Sequence, residues 1–224
     1  MSQEYKHSRK KARARYTVHP AVIVLGALLI LALLGLIALR LLGWSGQKVE
    51  GSLTTALVNP YNSVDAAGYT PRLSSVRGVQ LDENAAQALE TMLSAAESEG
   101  CRPLLRAGYL SRAELEQNAA LSLEEDSAGF SEHELGLAVD LGDSLTENAG
   151  ESALLRWLDA HAWQYGFILR YPAGSEESTG VPACPWHLRY VGESAAAQIH
   201  ELGISLEEYV TLFYNDSAAV VFDK

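Results

Sequence analysis

Apolar positions recur with two periods along the chain, and the two periods predict different elements. Spacings of three and four predict a helix capped by Asp82 and running to Ser98, and further helices over Ser152 to Tyr165 and Glu193 to Leu202. Strands are predicted at residues 103–109, 137–141, 167–171 and 186–191, and capping boxes at Ser111 and Ser205 predict two more helix starts. Strands grouped between early and late helices predict an α+β domain with a small, mostly antiparallel sheet flanked by helices.

The N-terminal part of the chain has a different pattern. The uncharged apolar run Ala21 to Leu39, extended by Leu41 and Leu42, is long enough to cross a hydrocarbon core of roughly 30 Å. A cleaved signal peptide is the alternative, but its apolar core is usually shorter and the residues up to Trp44 make a poor cleavage site. We therefore predict a basic cytoplasmic tail (1–20), a transmembrane helix (21–43), a stalk (44–57), one domain (58–214) and a C-terminal tail (215–224).

Charge is distributed unevenly between these parts. The chain has 17 Lys and Arg against 28 Asp and Glu, and six of the basic residues precede the apolar run. A basic flank favours the cytoplasmic side, so we predict a single-pass protein of the bacterial cytoplasmic membrane with its domain outside the cytoplasm. The remaining chain is strongly acidic, which argues against a nucleic-acid partner.

Two short segments carry the candidate chemistry. In SEHELGLAVD (Ser131 to Asp140), Asp140 lies on an apolar strand and needs a partner for its charge, which a metal ion would supply. In WHLRY, His187 follows Trp186. Two imidazoles and one carboxylate (His133, Asp140, His187) form a recognised catalytic zinc set, although each residue alone is more often an ordinary surface or core residue.

Together these segments resemble the VanY-type D-alanyl-D-alanine carboxypeptidases. These are zinc peptidases of the bacterial cell wall, related in fold to lysostaphin-type endopeptidases and the hedgehog signalling domain. The likeness rests on SxHxxGxAxD followed by WHLRYVG, and other matches extend it over nearly the whole predicted domain. It implies Zn²⁺ bound by His133, Asp140 and His187. It also implies a peptidoglycan stem peptide or cell-wall peptide contacted by Tyr109, Ser131, Trp186 and Arg189.

The chain departs from the family pattern at the positions that do chemistry. The family usually has a general-base Glu three residues before the last ligand, where this chain has Cys184. It usually has an Arg that binds the substrate carboxylate, where this chain has Leu110, and a Lys where Ser175 stands. Loss of a general base typically costs about 10²–10⁴ in rate, so we expect weak or absent peptidase activity.

Cys184 has three alternative roles. Its thiolate could be a fourth zinc ligand in a closed, structural site, since it lies three residues before His187. It could instead be a buried thiol near the metal, or form a disulfide with Cys101. The function predicted from the sequence is therefore a D,D-carboxypeptidase-like domain, with a non-catalytic peptide- or protein-binding module as the alternative.

Overall fold

The computed structural model describes residues 53–118, 127–149 and 152–213. Its strands are β1 (Leu73–Val76), β2 (Val79–Asp82), β3 (Pro103–Ala107), β4 (Ala138–Asp143), β5 (Phe167–Tyr171) and β6 (Cys184–Tyr190). Its α-helices are α1 (Val64–Ala67), α2 (Glu83–Ser98), α3 (Arg112–Asn118), α4 (Ala153–His161), α5 (Glu176–Thr179), α6 (Glu193–Leu202) and α7 (Leu206–Phe213). Short 3-10 helices cover Leu53–Thr55, Glu132–Leu135 and Ala162–Tyr165. The predicted α+β class is confirmed.

Four strands form one antiparallel sheet in the order β3-β4-β6-β5. Asp140 of β4 lies opposite His187 of β6, and Val139 lies opposite Leu188. Because side chains alternate between the faces of a strand, Val139 and Leu188 point to the core while Asp140 and His187 point to the other face. The sheet therefore separates an apolar face from a polar one.

Helices hold the sheet from both sides. The main core packs α2 and α4 against β4 and β6, and its fully buried members include Leu89, Leu93, Val139, Leu158 and Leu188. A second cluster packs α6 and α7 on the opposite side of β5 and contains Ile168, Ala196, Ile199 and Leu206. Burial of each such aliphatic side chain contributes about 1.5–3 kcal/mol, so the strands that carry the polar face rest on a rigid support.

Most predicted boundaries agree with the structure to within a few residues. The helix from residue 83 to Ser98 begins at its predicted cap, because Asp82 Oδ1 accepts the Asn84 N–H at 3.1 Å. The predicted helix over residues 152–165 changes to a 3-10 helix after His161. The predicted loop before Trp186 is shorter, because α5 forms within it and Cys184 already pairs with Tyr171 across the sheet.

The hairpin β1–β2 is an element that periodicity does not predict. Three of the four residues of β1 are exposed, so the strand has no apolar alternation. Its turn is formed by Arg77 and Gly78, whose φ angles of 45° and 95° are both positive. This is the geometry of a tight hairpin turn, in which glycine is favoured because it tolerates positive φ without steric cost.

The predicted membrane anchor lies outside the described residues, as do the basic tail and the C-terminal tail. Within the ranges that the structure describes, no helix has the length and apolar character needed to span a membrane. The end of the predicted stalk, in contrast, packs on the domain. Thr55 and Leu57 are buried, and Arg189 Nη2 donates to the carbonyl oxygens of Thr54 and Ala56 at 3.0 and 2.9 Å.

Candidate metal centre

The polar face of the sheet brings Asp140 and His187 together. The two residues are direct partners in the β4–β6 register, and His187 Nδ1 lies 2.8 Å from Asp140 Oδ1. Ala138, two residues before Asp140 on β4, has a small side chain on the same face. The spacing of the motif thus places a carboxylate and an imidazole side by side.

His133 reaches the same place from a 3-10 turn that precedes β4. Ser131 Oγ accepts the His133 N–H at 3.2 Å and caps this turn. Gly136 ends it with a φ of 64°, and a Cβ at that position would lie 2.9 Å from the backbone nitrogen of Asp82. Glycine is therefore required here both for its conformation and for the close approach of the hairpin.

The imidazole of His133 is held in one tautomer. Its Nδ1 lies 2.6 Å from the carbonyl oxygen of Gly108, which can only accept a hydrogen bond, so Nδ1 carries the proton. The other ring nitrogen, Nε2, faces the Asp140 carboxylate and lies 3.5 Å from its Oδ2. A backbone carbonyl behind a histidine ring is a common device for orienting a metal ligand.

His133, Asp140 and His187 together meet the geometric requirement for one ion. One ligand atom from each residue lies within 4.8 Å of the others, and both histidines are buried. The donor atoms that face inwards are His133 Nε2, the Asp140 carboxylate and His187 Nδ1. Two imidazole nitrogens and one carboxylate are donors that suit zinc, with one position left for water or substrate.

The charge states of this group follow from its contacts. Burial opposes the charged form of His187, but hydrogen bonds to Asp140 and Glu132 outweigh burial and raise its pKa to about 10. Burial likewise opposes ionisation of Asp140, and the two histidines outweigh it and lower the pKa of that carboxyl group. A metal ion entering the site would therefore meet an ionised Asp140 and would displace a proton from His187.

A buried ionic network supports the group from below. Glu132 Oε1 accepts from Arg170 Nε at 2.8 Å and lies 2.7 Å from Arg189 Nη1, while Glu132 Oε2 lies 3.7 Å from His187 Nε2. Arg170 also pairs with Glu207 of α7 at 2.5 and 2.9 Å. The four charged side chains of this network are all buried, and burial without partners would be very costly.

The supporting role of Glu132 is a feature that the sequence did not predict. Glu132 is adjacent to the ligand His133 and, on an extended segment, would point away from the site. In the structure residues 132–135 form a 3-10 helix, and the Glu132 side chain reaches Arg170, Arg189 and His187 instead. The two arginines outweigh the effect of burial and lower the pKa of the Glu132 carboxyl group, so it is an ionised structural partner.

Cys184 lies near the metal group but outside it. The ligand group within the described residues contains His133, Asp140 and His187, while Cys184 packs in a small apolar cluster with Tyr171 and Val181. The ring of Tyr171 stacks on His187 with centroids 5.4 Å apart. No disulfide joins Cys184 to Cys101, which is buried in the main core. The roles of Cys184 at the base position and as a fourth ligand stay predictions.

The residues predicted to contact substrate are placed in two different environments. Trp186 is exposed, with 37% of its surface accessible, and Tyr109 is half-buried. Ser131 and Arg189 have no accessible surface, since Ser131 caps the turn before β4 and Arg189 belongs to the buried network. Both side chains are therefore engaged within the protein, and their predicted contact with substrate stays a prediction.

Position 110 is occupied by a half-buried leucine. The two arginines nearest to it in the sequence, Arg106 and Arg112, make other contacts. Arg112 forms ion pairs with Asp65 and Glu134, so its charge is already neutralised. Arg106 is exposed and lies across Gly142, where a Cβ would clash with its guanidinium group. Arg112 would have to give up one of these two carboxylates to bind a substrate carboxylate in place of the arginine that the family resemblance expects at position 110.

The fold and the site together define a domain built to hold one metal ion through two histidines and an aspartate on an antiparallel sheet. Comparison with known proteins gives the family. The family model described as VanY, D-alanyl-D-alanine carboxypeptidase, matches residues 78–193. A D-alanyl-D-alanine carboxypeptidase of Enterococcus faecalis is 34% identical over 185 residues, which are 74% of this chain and 68% of that protein. The chain belongs to the VanY family.

Solved structures agree with this assignment. The structure of VanYB in complex with D-alanine-D-alanine is similar with a TM-score of 0.62 and 33% identity, over 71% of this chain and 98% of that one. A zinc-bound variant of the D,D-pentapeptidase VanY from a VanB-type resistance cassette has a TM-score of 0.60 and 31% identity, over 71% and 99%. The predicted cofactor, Zn²⁺, is thereby confirmed, and His133, Asp140 and His187 are the residues arranged to bind it.

Proposed function

We propose that this chain binds peptidoglycan stem peptides ending in D-Ala-D-Ala through its zinc centre, and hydrolyses them weakly or not at all. One observation carries this proposal. The ligand group is complete, while position 184, where the family resemblance places the general base, is Cys184 in an apolar cluster. Asp140 and Glu132 are two described carboxylates that contact the histidines. Asp140 is itself a ligand, and Glu132 is committed to two buried arginines.

The chemistry of the residues explains why the chain would bind the peptide but hydrolyse it weakly or not at all. When bound, zinc polarises a peptide carbonyl group and lowers the pKa of water. Hydrolysis also requires a side chain that accepts a proton from the attacking water and delivers one to the leaving amine. Cys184 packs among apolar side chains and offers no carboxylate for this step. His133 and His187 hold the metal, so neither histidine is available as the base.

The relatives support the choice of ligand. VanYB is described in complex with D-alanine-D-alanine, and the relative from Enterococcus faecalis is a D-alanyl-D-alanine carboxypeptidase. Trp186, one residue before the ligand His187, has an exposed indole, and the family resemblance implies that it lines the substrate cleft. The loss of the guanidinium at position 110 predicts weaker binding of the terminal carboxylate than in relatives that have it.

Binding can be tested by calorimetry with the full-length, zinc-loaded chain in detergent. A peptide ending in D-Ala-D-Ala should bind saturably, and removal of zinc with a chelator should abolish the binding. The matched control peptide ends in D-Ala-L-Ala, which has the same charge and composition. Equal binding of the two peptides, or binding that persists without metal, would contradict the proposal.

We further propose that the domain lies outside the cytoplasmic membrane, held by the apolar segment 21–43 with the basic residues 1–20 inside. The support is the sequence pattern and the positive-inside rule. Reporter fusions to residue 20 and residue 60 test this topology. A reporter active only outside the cytoplasm should work at residue 60 alone, and activity at residue 20 alone would contradict the orientation.

A further inference from the structure

An arginine lies against strand β4, two residues beyond the metal ligand Asp140. The guanidinium group of Arg106 covers the backbone of Gly142, and a Cβ atom at position 142 would lie 2.4 Å from Arg106 Nε and 2.9 Å from Nη2. Glycine at position 142 therefore leaves the space that the guanidinium group occupies.

A β-bulge turns Arg106 towards the face of the sheet that holds the metal ligands. The register between β3 and β4 shifts between Leu105 and Ala107, so Arg106 is an extra residue on β3. Ala107 lies opposite Asp140, and Gly142 shares the face of Asp140 because side chains alternate along β4. Bulges of this kind often re-aim a side chain beside a functional site.

A cavity opens beside the same part of β4. The register between β4 and β6 ends at the pair Asp140 and His187, whereas β4 continues to Asp143. The cavity has a volume of about 340 Å³, at the lower end of the range for ligand pockets. We call it the β4 cavity, and its lining includes Arg106, Gly142, Thr146, Glu147, Leu155 and Trp186.

The charges in the β4 cavity favour a carboxylate. Arg106 is the one basic residue among the described lining residues. Asp143 is buried, and its oxygens accept the Leu145 N–H at 2.9 Å and the Ser152 hydroxyl at 2.8 Å. Glu147 is exposed and forms no ion pair with Arg106 in the part of the chain that the structure describes. The guanidinium group therefore keeps its donors for a carboxylate that enters the cavity.

The position of Arg106 indicates which part of a peptide it would meet. Along β3, Arg106 precedes and Leu110 follows Ala107, the residue paired with Asp140. The Leu110 N–H donates to the His133 carbonyl oxygen at 3.3 Å, so position 110 lies on the His133 side of the ligand group. The family resemblance places the terminal carboxylate of the substrate at position 110. The residues before the scissile bond then extend towards Arg106.

We propose that the β4 cavity binds an acidic side chain on the residue directly before D-Ala-D-Ala. Arg106 pairs with the carboxylate, and the indole of Trp186 packs on the methylene groups. Gly142 lies about 7 Å from Asp140 along the strand, a distance that one residue of extended peptide (about 3.3 Å) and a glutamate side chain together span. This inference rests on the proposed function, because it requires the peptide to bind at the zinc centre.

The test compares two peptides by calorimetry with the full-length, zinc-loaded chain in detergent: Ac-Ala-Glu-D-Ala-D-Ala and Ac-Ala-Gln-D-Ala-D-Ala. We expect the native protein to bind the Glu peptide about threefold to fivefold more tightly, as for an exposed ion pair. Arg106→Gln should abolish this preference, and Arg106→Lys should keep part of it. The matched control Arg102→Gln removes the same charge from an exposed position just before β3 and should leave the preference unchanged.

Gly142→Ala tests the placement of the guanidinium group rather than its charge. The added Cβ takes the space that the guanidinium group occupies, so the preference should fall below twofold while the net charge stays the same. Stoichiometric zinc in each variant establishes that the metal centre is folded.

Two kinds of result separate this inference from the proposed function. Zinc-dependent binding of both peptides with equal affinity would overturn the inference alone. So would a preference that persists in Arg106→Gln or Gly142→Ala, or one that is lost equally in Arg106→Gln and Arg102→Gln. Absence of zinc-dependent binding of either peptide would overturn the proposed function and this inference with it.

Discussion

Two sets of side chains near the metal ligands differ in kind: the buried partners of the ligands, here called the floor, and positions 184 and 110, here called the rim. On the floor, the charged and polar groups are buried and paired, as with Glu132 between two arginines and His133 against Gly108. At the rim, the positions where the family resemblance places a base and a clamp are Cys184, in an apolar cluster, and Leu110. The comparison teaches that the residues that bind the metal and the residues that catalyse hydrolysis are separate sets, so one set can be present without the other.

The largest expected effect comes from rebuilding the rim. The double substitution Cys184→Glu, Leu110→Arg supplies a proton acceptor and a carboxylate clamp while leaving the floor unchanged. We expect D-Ala release from a D-Ala-D-Ala peptide to rise by about 10²–10⁴, the usual contribution of a general base. The matched control Cys184→Gln, Leu110→Lys should give no comparable gain. No gain in the rebuilt variant would show that the cleft differs at further positions.

Disturbing the floor should affect metal binding instead. Glu132→Gln leaves Arg170 and Arg189 buried without their shared carboxylate and loosens the support of His187. We expect zinc affinity to fall about 10–100-fold, as for other partners of metal ligands, and stability to fall by about 3–5 kcal/mol.

Calorimetry and chemical denaturation measure the two effects of Glu132→Gln. Glu116→Gln, an exposed substitution on α3, is the control and should change neither zinc affinity nor stability. An unchanged zinc affinity in folded Glu132→Gln protein would contradict the supporting role of the network.

Zinc affinity should also depend on pH. The pKa of His187 is about 10 in the metal-free protein, so His187 is protonated at neutral pH and zinc must displace that proton. Affinity should therefore rise with pH, by about tenfold per unit between pH 7 and 9, with about one proton released per ion. Calorimetry in buffers of different ionisation enthalpy counts the protons. A zinc affinity that is independent of pH in this range would show that His187 is already neutral before zinc binds.

The smallest expected effect concerns Cys184 alone. Because Cys184 packs with Tyr171 and Val181 rather than with the ligand group, Cys184→Ala should change zinc affinity by less than about threefold. Cys101→Ala, a buried thiol in the main core, is the control for general effects of losing a buried sulfur. A tenfold or greater loss confined to Cys184→Ala would identify a fourth ligand and a closed zinc site.

The sequence predicts the parts of this molecule that depend on local pattern. Alternation along residues 137–141 places Asp140 opposite the core, and the capping boxes at Ser111 and Ser205 form as predicted, with Ser205 Oγ accepting the Glu208 N–H at 3.2 Å. These features need only neighbours within a few residues, so periodicity and capping rules suffice to find them.

What the sequence does not predict depends on long-range contacts or on exposed strands. Glu132 meets Arg170 and Arg189 across 38 and 57 positions of the chain, and no local spacing reveals that contact. The same network explains why Arg189 is buried although its place beside the motif suggested contact with substrate. Hairpin β1–β2 escapes prediction because most of β1 is exposed and its turn uses Arg77-Gly78.

The central claim is that this chain holds zinc without efficient peptidase activity. It is tested most directly by measuring zinc content and D-Ala release in one preparation of the full-length chain, with His187→Ala as the metal-deficient control. We predict stoichiometric zinc in the native protein, loss of that zinc in His187→Ala, and D-Ala release near background in both. Rapid release by the native protein that disappears with a chelator and in His187→Ala would contradict the account and show that another group supplies the base.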